Sequence, residues 1–418
     1  MLKKNKSWRR LDNSAQLFPI ISNKKFSTVF RLSTVLNEKV SEDILKKALK
    51  IVLNNFECFK VRLKKGFFWY YLENNNEEPI VEKENNYPCK YINKYTNNGY
   101  LFKVTYFENK INLDVFHSLT DGNYAVKFLK EIIYTYLEIS HPNDLKDDIR
   151  IKRKVDYTIE DSYIENYNKK LSGIPNTKRA FILKGRNLPF EAISVTHGII
   201  DLKKLKEIVK ENNVTITQYF TALLIYSIYE ANFKKYRGKK PIKICIPVDL
   251  RKYFNSKTIS NFFSYITVEK NMNKDDNFNS ILKYVKEDFT SKLTEEEIIK
   301  TMSSNVKLGT NILIKMMPLF IKKFTVKISY FEIRKYTTST LSNIGKIGII
   351  SEYKKYIDSF LFLIAPEVVE KIKCSVCSFE NKVVFTFTSI LEDQSIQNTF
   401  FNYLKEQKIA VKIESNGV

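Results

Sequence analysis

The sequence lacks the apolar and cysteine patterns that mark membrane-spanning and secreted proteins. Its 418 residues contain no uninterrupted apolar run of the roughly 18 residues that a transmembrane helix needs. Residues 1–13 are rich in Lys, Arg, Trp and Asn and carry no apolar stretch of the secretory-signal kind. The five cysteines are irregularly spaced, apart from Cys374 and Cys377, so we expect no disulfide framework. These absences predict a cytoplasmic protein with no transmembrane segment.

Acidic residues are few relative to basic ones. The chain has 69 Lys and Arg against 46 Asp and Glu, a formal net charge of +23. Such an excess can bind nucleic-acid phosphates by releasing counterions. Here, however, the lysines are scattered among abundant Asn, Ile, Tyr and Phe, the residues that an AT-rich genome favours, and no nucleic-acid recognition motif accompanies them. We therefore expect no nucleic-acid partner, although a basic surface would attract an acidic one.

Apolar and aromatic residues are plentiful, at 44% and 14%, which is enough to fill more than one packed lobe at this length. Strand and helix patterns alternate along the chain and predict an α/β fold with mixed sheets. A polar segment, residues 137–180, contains the basic run Arg150–Lys154 and is interpreted as a surface crossover between lobes. The predicted lobes are residues 1–180 and 181–418.

An internal repeat supports this division. The tetrapeptide Phe-Glu-Asn-Lys occurs at residues 107–110 and again at 379–382. Each copy is followed by an alternating strand, an acidic turn at Asp121 or Asp393, and a helix with matching apolar positions. Because the same elements follow at the same offset, the pattern predicts two duplicated lobes.

Histidine is scarce, and its three positions are His117, His141 and His197. His141 precedes a proline and His197 lies in a predicted strand, so both are interpreted as structural or solvent-facing. His117 follows the alternating strand 111–116, whose period places it on the buried face. The residues alone leave open whether His117 is a core residue or a catalytic base. In the second repeat Ser389 takes its position, so that lobe should lack a base.

The segment His117–Gly122 reads His-Ser-Leu-Thr-Asp-Gly. It resembles the His-x-x-x-Asp-Gly signature of the superfamily of chloramphenicol acetyltransferases, peptide-synthetase condensation domains and plant acyl-CoA-dependent acyltransferases. Four further segments resemble alcohol acetyltransferase-like members in order, namely Trp8–Asn13, Ile246–Arg251, Ser260–Phe263 and Leu341–Gly345. Condensation domains usually carry a second histidine where this chain has Phe116, and residues 261–263 are a short counterpart of the plant Asp-Phe-Gly-Trp-Gly segment. The resemblance therefore favours the alcohol acetyltransferase-like branch over peptide-bond formation.

This resemblance implies two chloramphenicol acetyltransferase-like lobes that share a tunnel, with His117 at its middle. A thioester donor, either an acyl-CoA such as acetyl-CoA or an acyl carrier protein, would enter from one face, and an alcohol or amine acceptor from the other. His117 would act as a general base, without an acyl-enzyme, a cofactor or a metal. The alternative is a catalytically idle module of this fold that binds an acyl or peptidyl carrier protein.

The resemblance also implies roles for residues around the histidine. Asp121 and Gly122 would shape the turn, with the Asp121 carboxylate directed away from the chamber toward an arginine. Arg10 is the first choice for that partner, Arg62 the second and Arg251 the third.

Residues from the second lobe would complete the chamber. Asn261 and Phe263 are expected to contact substrate. Ser342 and Asn343 are candidate donors to the tetrahedral oxyanion, although a Ser-Asn-x-Gly segment after a strand is also typical of an ordinary turn.

Two other segments have competing interpretations. Residues 311–324 are apolar with interspersed lysines and could rest on a membrane surface, but Pro318 and the helical periodicity favour a buried core helix. Cys374 and Cys377 form a single pair without the two further ligands of a zinc site, so we expect no metal.

Overall fold

Fifteen strands and twelve helices make up the parts of the chain that the computed structural model describes, which are residues 8–144, 157–171, 178–236 and 238–418. The helices are α1 (Phe18–Ile21), α2 (Glu42–Asn55), α3 (Gly122–Ser140), α4 (Ser162–Glu165), α5 (Leu202–Glu211), α6 (Ile216–Ala231), α7 (Arg251–Phe254), α8 (Phe278–Lys292), α9 (Glu295–Thr310), α10 (Ile312–Met316), α11 (Leu319–Ile333) and α12 (Ser395–Glu406). The strands are β1 (Trp8–Arg10), β2 (Val29–Leu36), β3 (Val61–Lys65), β4 (Tyr70–Asn74), β5 (Val81–Lys83), β6 (Phe102–Phe107), β7 (Lys110–Phe116), β8 (Ser194–Asp201), β9 (Ile242–Asp249), β10 (Phe263–Lys270), β11 (Ser339–Lys346), β12 (Ile357–Ile364), β13 (Ile372–Phe379), β14 (Lys382–Ser389) and β15 (Val411–Ser415).

The strands form three sheets. The first has the order β12-β2-β7-β6-β5, and its pairs are antiparallel except β5 with β6. The second has the order β10-β9-β11-β13-β14-β8-β15, with β11 parallel to both of its neighbours. The third is a small antiparallel sheet, β1-β4-β3. Helices cover the two large mixed sheets, so the predicted α/β class with mixed sheets is confirmed.

Helix starts follow the capping residues in the sequence. Ser41 is the N-cap of α2. At α6, Thr215 and Gln218 form a reciprocal capping box, and this box satisfies backbone N–H groups at the start of the helix. The apolar stripe of α2 is largely buried, whereas Ile51 is 48% exposed.

The predicted repeat is present in the structure. The hairpin β6–β7 with α3 matches the hairpin β13–β14 with α12 in element order, and both turns place their Glu in the left-handed region, Glu108 at φ 51° and Glu380 at φ 47°. Asp121 Oδ1 accepts the N–H of Asn123 and Asp393 Oδ1 accepts that of Ser395, at equivalent positions. The two lobes therefore share one supersecondary unit.

The second repeat has no base at the position of His117. Ser389 ends β14, is fully buried, and its Oγ accepts the Leu391 N–H at 2.9 Å. Its hydroxyl is used inside its own turn, as expected for a copy that retains only structure.

Two apolar cores fill the molecule, and the chain crosses between them. One core packs α2 and α3 on the first sheet, and the other packs α6, α8 and α12 on the second. The boundary near residue 180 stays a prediction, and Arg150–Lys154 of the proposed crossover lies outside the described residues. Strand β12 departs from a simple division, because it comes from the C-terminal half yet pairs with β2 in the first sheet.

The segment 311–324 is not the buried core helix that its periodicity suggested. In α10 no residue is buried, and in α11 only Leu319 and Lys322 are. Pro318 separates the two helices, and most of their apolar side chains face outward. Within the described part of the chain, no helix is both long and apolar enough to cross a membrane.

Candidate active site

His117 stands immediately after β7, in the turn that leads to α3. Its backbone N–H donates to the Thr28 carbonyl at 3.1 Å, which ties the turn to the residue before β2. Three phenylalanine rings surround the imidazole, with centroid distances of 4.6 Å to Phe18, 5.2 Å to Phe30 and 5.4 Å to Phe263. All other residues from 111 to 120 are buried, whereas His117 is half-buried. The ring is therefore fixed on apolar walls and still reachable.

A hydrogen-bond relay from the other half of the chain orients the imidazole. Asn261 Oδ1 lies 2.9 Å from His117 Nδ1, and Asn261 Nδ2 donates to the His117 carbonyl at 3.1 Å and to Asp12 Oδ2 at 3.0 Å. Because both amide hydrogens have acceptors, Oδ1 must accept from His117, so Nδ1 carries the proton. Nε2 is then left unprotonated.

Asp12 anchors this relay. Its Oδ2 also accepts the backbone N–H of Asn261 at 3.0 Å, and its Oδ1 accepts that of Ala15 at 2.7 Å. Burial raises the pKa of Asp12 to about 7, and the hydrogen bonds from Ala15 and Asn261 oppose that rise by stabilising the ionised form. Sequence reasoning did not single out Asp12, although it lies within the matching segment Trp8–Asn13.

Asp121 points away from His117 into an ion pair, as predicted. Its Oδ2 accepts Arg251 Nη2 at 2.8 Å and the Phe262 N–H at 3.1 Å. Arg251 also donates to Asp249 Oδ1 at 2.9 Å and to the Ser260 carbonyl at 2.8 Å. The pair therefore fixes the 258–262 segment, which carries Asn261 to the histidine.

The ranking of arginines was wrong in its first two choices. Arg10 is exposed on β1, and Arg62 on β3 pairs with Glu73, with Nε to Oε2 at 2.8 Å. Both lie on the small third sheet. Arg251, the third choice, is the partner because the strand β9 ends beside the motif turn.

Side-chain hydrogen bonds to other segments of the chain hold the turn between His117 and α3, and the start of that helix. Ser118 Oγ donates to the Ala15 carbonyl at 3.2 Å, and Thr120 Oγ1 donates to the Ile259 carbonyl at 2.7 Å. The Tyr124 hydroxyl donates to the Lys257 carbonyl at 2.6 Å. The bonds of Thr120 and Tyr124 thus join the two halves of the chain, and that of Ser118 stays within the first half; sequence analysis did not foresee them.

Strand β11 reaches the same turn from the second lobe. An added Cβ on Gly122 would lie 3.4 Å from Ile344 Cγ2, so the glycine allows this close approach. Ser342 alternates with Ile344 on β11 and faces the same side. Asn343 faces the opposite side, where its Nδ2 donates to Thr217 Oγ1 at 3.0 Å and its Oδ1 accepts the Gly345 N–H at 2.8 Å. Asn343 is thus engaged on its own side of β11, and the alternation of the strand predicts that Ser342 lies on the side toward the motif.

Burial dominates the electrostatics of His117. It lowers the pKa of the imidazole below its ordinary 6.5, while the Asp121 charge and the Asn261 hydrogen bond partly oppose this. The neutral form therefore prevails at neutral pH, which is the form that can accept a proton.

The other histidines have structural partners. His141 Nε2 lies 2.9 Å from Glu38 Oε1 and the ring stacks on Tyr356 at 4.2 Å. His197 Nδ1 lies 2.8 Å from Thr386 Oγ1, and burial lowers its pKa to about 4.

The cysteine pair is split between the two cores. Cys374 packs in the core of the second sheet and Cys377 in that of the first, because positions three apart on β13 face opposite sides. Among the described residues, no group of three or more His, Cys, Asp or Glu side chains could hold a metal ion.

The fold is similar to that of several solved structures, among them an O-acetyltransferase and a condensation domain. Similar structures include Fusarium graminearum TRI101 in complex with coenzyme A and deoxynivalenol, with a TM-score of 0.66 and 11% identity over 97% of this chain and 99% of that one. They also include the TRI3 trichothecene 15-O-acetyltransferase of Fusarium sporotrichioides, with a TM-score of 0.59 and 10% identity over 96% and 94%. The starter condensation domain of rhizomide synthetase RzmA with C8-CoA and Leu-SNAC gives 0.61 and 10%, also over 96% and 94%.

The sequence model of the alcohol acetyltransferase family matches residues 186–409, which are 224 of the 418 residues. The chain therefore belongs to the alcohol acetyltransferase family and is a thioester-dependent acyltransferase. No curated protein sequence matches it. The family match covers the second lobe and includes Arg251 and Asn261, while His117 lies outside it.

Proposed function

We propose that this protein transfers an acyl group from a thioester to an alcohol or amine, with His117 Nε2 as the general base. The observation that carries the proposal is the bond from His117 Nδ1 to Asn261 Oδ1 at 2.9 Å. It uses one ring nitrogen and leaves the other unprotonated in a residue that is half-buried.

The proposed reaction proceeds without a covalent enzyme intermediate. Nε2 takes the proton of the acceptor hydroxyl or amine as its oxygen or nitrogen attacks the thioester carbonyl. The new bond forms, the carbonyl oxygen takes the negative charge, and Nδ1–H stays bonded to Asn261. When the tetrahedral intermediate collapses, the C–S bond breaks and the thiolate receives the proton from Nε2.

The oxyanion requires a donor that is in place before reaction. Ser342 is the candidate that the geometry supports, because it shares a face of β11 with Ile344, which contacts Gly122. Asn343 is engaged with Thr217 and Gly345 on the other face, so we assign it to the turn.

We propose an acyl-CoA as the donor and a small alcohol or amine as the acceptor, with no further cofactor. Support for the donor comes from the folds named above, which are described with coenzyme A, C8-CoA and a trichothecene bound. A carrier-protein thioester remains the second donor to test. All five cysteines are free thiols and four are buried, which suits a reducing, cytoplasmic location.

The experiment that tests the function measures thiol release from acetyl-CoA in the presence of a panel of alcohols and amines, with products identified by mass. We expect release only when an acceptor is present. Tight, His117-independent binding of a carrier protein without turnover of either donor would instead identify an idle module.

The pH dependence of catalysis should report His117. Because burial lowers its pKa, the neutral base persists down to below pH 6.5 and is lost as the pH falls further. We expect kcat/KM to be constant near neutral pH and to fall on the acid side with a midpoint below 6.5. A midpoint near 7 would instead identify Asp12, whose pKa burial raises to that value, as the controlling group.

Replacing Asn261 by leucine should impair catalysis by releasing the imidazole. Hydrogen-bond partners that orient histidines in metal sites are typically worth about 10-fold or more, and by the same physical reasoning we expect kcat to fall about tenfold with little change in KM. Loss of the hydrogen bond that raises the pKa of His117 should also move the acid limb to lower pH.

The control for this variant is Asn75→Leu, which removes another buried amide, whose Nδ2 donates to the Asn98 carbonyl at 2.9 Å. It should affect stability only. An acid limb that stays in place in Asn261→Leu would mean that the amide does not orient the base.

A further inference from the structure

A continuous apolar surface lies on α10, α11 and the turn between β3 and β4. We call it the apolar face; its members are exposed large hydrophobic side chains, namely Phe67, Phe68, Ile312, Leu313, Met316, Phe320, Phe324, Ile328 and Phe331. Their exposed fractions run from 44% to 75%. Side chains of this size are seldom clustered on a soluble surface without a binding role.

The helix α11 has one exposed apolar side, which belongs to the apolar face, and one side that packs on the protein. Phe320, Phe324, Ile328 and Phe331 recur at helical spacing and form one outward stripe, exposed by 67%, 70%, 52% and 51%. The opposite side packs through Leu319 against α1. The helix is thus anchored inward while its outer stripe has no cover within the described chain.

Lys322 joins the parts of the apolar face into one platform. Its buried ammonium donates to the Phe68 carbonyl at 3.0 Å and to the Lys315 carbonyl at 3.2 Å, and it lies 3.3 Å from the Trp69 ring centroid. The Leu319 N–H also donates to the Phe67 carbonyl at 2.9 Å. The exposed side chains are therefore held together by specific bonds.

Most charges around the face are positive, and Glu332 beside Phe331 is paired with Arg179 and Lys335. Lys65, Lys315 and Lys327 are exposed and Lys323 is half-buried, while the sequence from 298 to 331 contains no Asp or Glu. An occupant must accordingly be both apolar and anionic. A second copy of the chain would bring its own lysines against these, whereas an anionic lipid surface offers both acyl chains and negative headgroups.

The face is also connected to the active site. Phe18 of α1 stacks on the His117 ring at 4.6 Å, and α1 packs on α11. Tyr330 of α11 contacts Phe26, with ring centroids 5.4 Å apart. An apolar molecule that leaves the lipid at this face meets the segment that forms one wall of the histidine site.

We propose that the apolar face docks the protein on an anionic lipid surface, with α11 lying in the interface. The lysines engage the headgroups, and the phenylalanines enter the acyl-chain boundary. The enzyme then draws an apolar acceptor or acyl donor from the membrane. This extends the proposed function, but docking itself requires no catalysis.

The test is flotation of the full chain with vesicles of phosphatidylcholine alone and of phosphatidylcholine mixed with phosphatidylglycerol. We expect binding to the mixed vesicles that salt weakens. Phe320→Ser combined with Phe324→Ser should reduce the bound fraction at least about tenfold, and Lys323→Glu combined with Lys327→Glu should also abolish the preference for phosphatidylglycerol.

Two double variants serve as matched controls. Phe190→Ser with Phe233→Ser removes exposed phenylalanines elsewhere, and Lys203→Glu with Lys206→Glu makes the same charge change on α5; both should bind as the native chain does. Absence of vesicle binding, equal loss in the controls, or a dimer by light scattering that Phe320→Ser with Phe324→Ser dissolves would overturn the proposal. Because thiol release from soluble acetyl-CoA is measured separately, failure here leaves the proposed function intact.

Discussion

His117→Ala should lose at least about 100-fold in kcat/KM for acyl transfer while the protein stays folded, since positioned general bases contribute about 10²–10⁴-fold. The imidazole contacts Phe18, Phe30 and Phe263 at its edges and faces, so alanine removes the proton acceptor and leaves the β7 turn tied through its backbone. Initial rates with acetyl-CoA and an accepted alcohol, together with circular dichroism, measure both quantities.

His141→Ala is the control for this experiment. His141 lies at the end of α3 that is far from His117, bonds Glu38, and should be dispensable for turnover. Native turnover by a folded His117→Ala protein would refute the base mechanism. His117 would then be a packed core residue without a catalytic role.

Asp121→Asn should lose stability and activity together. The side chains of Asp121 and Arg251 are only 7% and 10% exposed, and breaking one partner of a buried ion pair typically costs about 3–5 kcal/mol. Asp249 also neutralises Arg251, so we expect about 3 kcal/mol, at the lower end of that range. Activity should fall because Asp121 also accepts the Phe262 N–H and so positions the segment bearing Asn261. Urea unfolding and kcat/KM measure the two losses.

The matched control is Glu207→Gln, which breaks an exposed pair with Lys204 on α5. Exposed pairs contribute little, so no measurable loss of stability is expected. Native stability together with native activity in Asp121→Asn would refute both the stabilising and the positioning role of the carboxylate.

The sequence was most informative where a short local pattern carries the chemistry. The His-x-x-x-Asp-Gly motif pointed to His117 and Asp121, whose catalytic roles stay predictions, and the repeat predicted a second hairpin and helix with Ser389 at the position of His117. Long-range pairing was harder to predict. Arg251 bonds Asp121 across 130 positions, and no local pattern distinguishes it from Arg10.

Asp12 is a second residue whose role depends on a long-range contact that no local sequence pattern predicts. It is an ordinary aspartate within a matched segment, and its function depends on Asn261, 249 positions away. Only the packing of the two halves brings them together. A buried acid that supports a histidine through an amide has no periodic signature in sequence.

Two strands were not predicted from the sequence and two helices were assigned to the wrong environment, for different physical reasons. Strand β10 (Phe263–Lys270) alternates buried residues with less buried ones and was readable, while β15 alternates Val411 and Ile413 with charged residues but is short and mostly exposed. The helices α10 and α11 were assigned to the core because apolar residues at helical spacing usually face inward. Here the apolar face points outward, and periodicity cannot tell an internal partner from an external one.

The position of β12 bears on how the protein is made. During synthesis the N-terminal strands leave the ribosome with β2 as an open edge, and such an edge invites pairing with other chains. Leu363 pairs with Arg31, so this edge closes only after more than 300 further residues have been translated. Such late closure of a distant contact slows folding and exposes intermediates to aggregation. The nascent first half is therefore the stage at which a chaperone would be needed most.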